Sequence, residues 1–239
     1  MMDANPGAAD RAPRFKGVLF DLDGTLIDSA PDLAGAANRL RADHGLAPLP
    51  LEALRPMVGS GARGMVGVAF GVQPGDERFE ALRDAFLAHY ERGLLASTQP
   101  FDGVDAMLAV LERQGVPWGI VTNKATRFTA PIVAGLGLDR RAAVVVCGDT
   151  TPHAKPHPAP LLHAAQAMGL APVDVAYVGD DLRDVLAARA AGMGMAVASW
   201  GYLGVGEPAH TWGADLMANA PGDISSWLGL GGAPDPLPA

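Results

Sequence analysis

Apolar residues gather in five short runs: Val18-Leu19-Phe20, Trp118-Gly119-Ile120-Val121, Val144-Val145-Val146, Val175-Ala176-Tyr177-Val178 and Met195-Ala196-Val197-Ala198. Runs this short, free of charge and flanked by turn-forming residues, predict strands buried on both faces of a parallel sheet. Between the later runs, apolar positions recur at helical spacing over residues 104–113, 128–136, 158–168 and 183–191. Strand and helix in alternation predict a doubly wound α/β core of Rossmann-like type, which takes its ligands beyond the carboxyl ends of its strands.

Residues 29–100 break that alternation. They carry helical periodicity alone, over 32–44, 51–58, 62–70 and 77–92, and read as a helical cap inserted into a core made of 14–28 and 101–228. The junctions, near Asp28-Ser29 and Pro100-Phe101-Asp102-Gly103, are then the expected hinges of cap closure. Residues 1–13 and 229–239, rich in Gly, Ala and Pro, are expected to be disordered tails, and the first of them has neither the basic start nor the apolar stretch of a signal peptide.

Composition narrows the classes of function. The chain has 239 residues, 49% of them hydrophobic and 18% charged, enough for one sizeable core with an insert. No run approaches the roughly 18 apolar residues that a membrane span requires. A formal net charge of −8 without a basic block leaves no electrostatic footprint for nucleic acid. The single cysteine, Cys147, follows an apolar run and reads as a buried strand residue, and its solitude fits a reducing, cytoplasmic compartment. The expected partner is a small molecule, handled by a monomer or homodimer without nucleic acid or membrane.

The candidate chemistry begins at the first run. Asp21 and Asp23 stand two residues apart at its end, ahead of Gly24 and Thr25. One carboxylate there can attack phosphorus and form an aspartyl-phosphate, while the other passes a proton to the leaving alkoxide and takes one from water. Three further groups follow strand ends or rigid loops: Thr122-Asn123, whose hydroxyl and amides suit phosphoryl oxygens; Lys155, fixed in a Pro-rich loop; and Gly179-Asp180-Asp181-Leu182-Arg183-Asp184. Clustered carboxylates beside a phosphate dianion repel one another, and Mg²⁺ meets that need with oxygen ligands. The expected ligands are the Asp21 carboxylate, the Asp23 carbonyl and the Asp180 carboxylate, with Asp184 orienting a metal-bound water or Lys155. In the inserted segment, Arg63 in a Gly-rich loop can pair with a substrate carboxylate, and Arg127 and Arg183 are arginines of the same kind. His153, His157 and His163 match no standard zinc spacing.

Taken together, Asp21, Asp23, Thr122, Lys155, Asp180 and Asp184 resemble the motif set of the haloacid dehalogenase superfamily, in particular its phosphatases with a helical cap. The resemblance runs from about Phe15 to Leu228 and implies a Mg²⁺-dependent phosphomonoesterase. Within the superfamily, Asp28-Ser29-Ala30-Pro31-Asp32-Leu33, Met57-Val58-Gly59-Ser60-Gly61-Ala62 and Val121-Thr122-Asn123-Lys124 resemble phosphoglycolate phosphatases, the first expectation. Where those carry Gly-Asn-Gly, this chain has Gly59-Ser60-Gly61-Ala62-Arg63. That loop, Asn123-Lys124-Ala125-Thr126-Arg127-Phe128, Gly179 to Asp184 and Trp212-Gly213-Ala214-Asp215 also resemble N-acetylmuramic acid 6-phosphate phosphatases. A sugar-phosphate mutase and a non-catalytic phospho-ligand binder are the remaining alternatives.

Overall fold

The computed structural model describes residues 13–230, so most of both expected tails lies outside the described residues. In chain order the elements are β1 (Gly17–Phe20), β2 (Ile27–Asp28), α1 (Ala30–Asp43), α2 (Leu51–Leu54), α3 (Gly61–Phe70), α4 (Phe79–Arg92), β3 (Gln99–Pro100) and α5 (Val104–Arg113). They continue with β4 (Trp118–Val121), α6 (Thr126–Gly135), β5 (Val144–Val146), α7 (Ala159–Ala167), β6 (Val175–Gly179), α8 (Leu182–Ala191), β7 (Gly194–Ala198), β8 (Leu216–Ala218) and α9 (Pro221–Trp227).

Six strands form one parallel sheet in the order β5-β4-β1-β6-β7-β8. The side-chain period of two sends Val18 and Phe20 of β1 into one core layer and Leu19 into the other; Ala176 and Val178 of β6 likewise oppose Val175 and Tyr177. Helices cover both faces. α5 shows how, burying Val104, Met107, Leu108 and Leu111 at the i, i+3, i+4, i+7 spacing of a single helical face.

The strand order decides where a ligand sits. From β1 the chain builds outward through β4 and β5, then crosses back to β6, β7 and β8 on the other side of β1. The crevice at such a switch point opens beyond the carboxyl end of β1, where Asp21 follows.

Between the short antiparallel ribbon strands β2 and β3 lie α1 to α4. Ala34 and Ala37 on α1 are buried, as are Leu82, Phe86 and Tyr90 on α4, and these two helices pack side by side. Where one helix was expected over 51–58, a single α-turn passes into a 3₁₀ segment, Arg55–Ser60, because Pro56 lacks the N–H that would continue the ladder. β8 and α9 escaped the periodicity reading because both are short. At the carboxyl end, Gly229 takes φ 78° and Leu230 is buried, its N–H donating to Ser225 O. Gly229 and Leu230, assigned from the sequence to the tail, thus pack on α9. No described helix is long and apolar enough to cross a membrane.

Candidate active site

β1 ends with the Asp21 N–H donating to Val178 O of β6 at 2.8 Å, and the chain then turns tightly, the Leu26 and Ile27 N–H groups both donating back to Leu22 O. Gly24 is required twice over in that turn. Its φ is +87°, and a Cβ there would lie 2.1 Å from Asp180 Oδ2. The turn presents Asp21, Asp23 and Thr25 toward the ends of β4 and β6.

Lys155 occupies the middle of the site. Its ammonium lies 2.9 Å from Asp21 Oδ1 and 2.7 Å from Asp184 Oδ1, and donates to Tyr177 Oη at 2.7 Å and Val121 O at 3.0 Å. The Tyr177 hydroxyl lies 3.1 Å from Asp184 Oδ1, and the Asp181 N–H donates to Asp184 Oδ2 at 3.0 Å. Lys155 and Asp184 are buried, and each charge sits among several partners. Burial alone would lower the Lys155 ammonium, but Asp184 and Asp21 outweigh it and raise it. The Asn123 carboxamide, expected at the ligand, exchanges two 2.9 Å hydrogen bonds with the Lys155 main chain. Its side chain therefore ties the lysine loop to β4.

Asp21 is less well served. Oδ1 is buried and, although the ammonium is close, receives no well-directed hydrogen bond. Burial pushes its carboxyl up to about 7, opposed by Lys155 and assisted by Asp184. Asp180 is raised well above the carboxylate range by burial, then by Asp21 and Asp184. It accepts from the Tyr202 N–H at 2.8 Å and from Thr25 Oγ1 at 3.2 Å. Oxygens of Asp21, Asp180 and Asp184 all lie within 4.8 Å of one another. Three crowded carboxylates, two with raised pKa and one with an unsatisfied oxygen, could hold a hard divalent cation.

Asp23 turns away from this trio. Its carboxylate accepts two bonds from Lys124 Nζ, at 2.6 and 2.8 Å, and one from Ser29 Oγ. The Lys124 ammonium stands 5.0 Å from the ring centre of Tyr90 on α4. Burial would depress it, yet Asp23 raises it above the usual lysine range. Thr122 is buried, and its Oγ1 accepts from the Lys124 N–H at 3.1 Å, so it braces the turn that carries Lys124.

These groups line a cavity of about 480 Å³ between the sheet and the inserted helices. Leu33, Val58, Phe86, Leu87 and Tyr90 supply an apolar wall from the insertion. Arg63 does not line it. That residue is exposed on α3, two positions or about half a turn from buried Met65, and faces outward. Arg127 and Arg183 line the cavity instead. Arg183 is held by Asp181 at 2.7 and 2.8 Å and by Gly59 O.

Sequence reasoning left Lys124, Tyr177 and Tyr202 without roles. Tyr177 had a signal: a lone hydroxyl inside a fully buried strand must find partners. The other two act through contacts between segments far apart in the chain, which no local pattern announces.

Known proteins resemble this chain in sequence and fold. The chain is 49% identical over 212 residues to a phosphoglycolate phosphatase of Xanthomonas campestris, spanning 88% of this chain and 94% of the relative. It is 42% identical over 212 residues to the N-acetylmuramic acid 6-phosphate phosphatase of Pseudomonas aeruginosa, spanning 88% and 93%. A crystal structure titled as a predicted phosphoglycolate phosphatase from Haemophilus somnus superposes with a TM-score of 0.79 at 29% identity, covering 89% of this chain and 97% of that one. The profile of the haloacid dehalogenase-like hydrolases matches residues 18–198, a span that begins in β1 and ends with β7. On the sheet order, the carboxylates at its switch point and this match, the chain belongs to the haloacid dehalogenase-like hydrolase family.

Proposed function

We propose that the chain is a Mg²⁺-dependent phosphoric monoester hydrolase that works through an aspartyl-phosphate on a carboxylated ester. The observation that carries this reading is Asp21: a half-buried carboxylate at the switch point whose buried oxygen lies 2.9 Å from an ammonium and is short of hydrogen bonds. Desolvated in this way, it is free to bond to phosphorus. Asp21 and Asp180, with the Asp23 carbonyl, would hold Mg²⁺, which when bound neutralises phosphoryl charge. An Asp21 oxygen attacks phosphorus as the ester oxygen leaves with a proton from Asp23. Water then attacks phosphorus, Asp23 takes its proton, and Asp21 is released. Lys155 offsets charge on the transferring group, Thr122 contributes its hydroxyl, and Lys124 with Ser29 fixes the orientation of Asp23. The inserted helices act as a cap that excludes water.

Two esters fit the class. Phosphoglycolate is the smaller, and the Xanthomonas relative is named for it. N-acetylmuramic acid 6-phosphate is the bulkier, and a cavity of about 480 Å³ with Leu33, Val58, Phe86 and Leu87 in its wall favours it, because such a wall suits acetyl and lactyl methyl groups. Phosphate release by the purified protein with Mg²⁺, read as kcat/KM for each ester, tests the proposal. Turnover of the amino sugar at least about tenfold better supports the bulkier substrate, and the reverse preference returns the assignment to phosphoglycolate. An isomerised product without phosphate release would make it a mutase, and turnover unchanged in D21N would end the covalent mechanism.

A further inference from the structure

Among the described residues, four cationic side chains line the cavity, and their partners separate them. Lys155 is bound to Asp21 and Asp184, Lys124 to Asp23, and Arg183 to Asp181 and Gly59 O. Arg63 stands outside the lining. Arg127 remains. It lines the cavity, is exposed, and among the described residues has no carboxylate at ion-pair distance. Asp149, the carboxylate bonded to the first residue of α6, is committed to the N–H and hydroxyl of Thr126.

Its surroundings also order it. The guanidinium carbon sits 4.4 Å from the ring centre of Phe128, and that ring packs 5.5 Å from Tyr90 of the inserted helix α4. Stacking on an aromatic face restrains a long side chain without consuming its five N–H donors. A restrained, unneutralised guanidinium beside an apolar wall, a few residues along the chain from the phosphate-binding Thr122, suits a second anionic group on the same substrate.

We infer that Arg127 is the specificity residue that takes the carboxylate of the phosphate ester, the part first expected of Arg63. The inference rests on the proposed phosphatase reading and narrows its substrate to esters with an acid group in reach of α6. It places recognition at the seam between core and insertion, where the Phe128 and Tyr90 rings meet, so that ester, core and cap are read together.

The test compares each carboxylated ester with a counterpart lacking the acid: N-acetylmuramic acid 6-phosphate against N-acetylglucosamine 6-phosphate, and phosphoglycolate against ethyl phosphate. In R127Q the ratio of kcat/KM values, acid over counterpart, is expected to fall about tenfold or more for the true substrate pair, chiefly through KM. R127K should keep part of the preference, and R63Q should keep the whole ratio. A ratio within about twofold of wild type in R127Q overturns the inference. Circular dichroism and thermal unfolding of R127Q check that the fold is intact. If the wild-type protein releases phosphate from none of the four esters, the phosphatase reading fails by itself. Calorimetric binding of the same esters to wild type and R127Q then still decides the subsite: weaker binding of the acids to R127Q upholds it, and equal affinity overturns it.

Discussion

On the sheet side of the cavity, three aspartates are paired with two lysines at distances of 2.6 to 2.9 Å. On the inserted side, Leu33, Val58, Phe86 and Leu87 present hydrocarbon, and the Tyr90 hydroxyl is buried without a hydrogen-bond partner. The first surface is costly to assemble, because each desolvated charge needs its partner in place, and it leaves little room for variation. The second presents an apolar wall to the cavity and tolerates changes of shape. On the proposed reading, chemistry and selectivity are divided between two parts of one cavity, with Lys124 under Tyr90 and Arg127 on Phe128 at the seam.

The sharpest break in that division comes from Asp21. Asp21→Asn keeps the shape and removes the attacking charge, so phosphate release should fall by at least about a thousandfold in a steady-state assay. A loss below about tenfold would deny Asp21 its role. Next comes Lys124→Met, which frees the Asp23 carboxylate from its strongest partner. A drop in kcat of about 10 to 100-fold is expected, larger for alkyl esters, which need a proton on departure, than for p-nitrophenyl phosphate, which does not. Equal losses on both would reduce Lys124 to a structural prop.

Tyr177→Phe tests how far the sheet side depends on mutual satisfaction. It leaves Lys155 and Asp184 short of one buried hydroxyl, and urea unfolding should show about 1 to 3 kcal/mol of lost stability. The two raised carboxyls add a pH signature. Without metal, Asp21 has a folded pKa of about 7 against an ordinary 3.8, so the folded state holds the extra proton between those values. Its contribution to stability is present below the lower value and is lost as pH rises through the upper one. Mg²⁺ competes with that proton. The rise in Tm on adding Mg²⁺ should be larger at pH 8 than at pH 5.5 in differential scanning fluorimetry, and an equal rise at both would place the ion elsewhere. The smallest effect belongs to Arg63→Gln, exposed on α3, which should leave kcat/KM within about twofold.

Much of the sheet side could be read locally. Asp21, Thr122 and Asp180 each follow an apolar run, and a strand that ends at a known residue delivers that residue to the edge of the sheet. Helix boundaries near 30, 61, 104 and 182 were legible from periodicity for the same reason. The insertion was harder. Arg63 looked suitable because it follows Gly59-Ser60-Gly61, but the phase of α3 turns it outward, and phase is set by which face packs on α1 and α4.

By its own spacing, then, the chain determined a parallel sheet, a helical interruption after the first strand, and a row of carboxylate, hydroxyl and ammonium groups at strand ends and in a rigid loop. These are consequences of short-range periodicity and of where strands stop. Only the tertiary structure decided that Lys124 serves Asp23 across 101 positions, that the Tyr202 N–H serves Asp180 across 22, and that Arg127 instead of Arg63 faces the cavity without a partner. Such choices depend on distances between segments remote in the chain, and on which charges neutralise one another once water has been excluded.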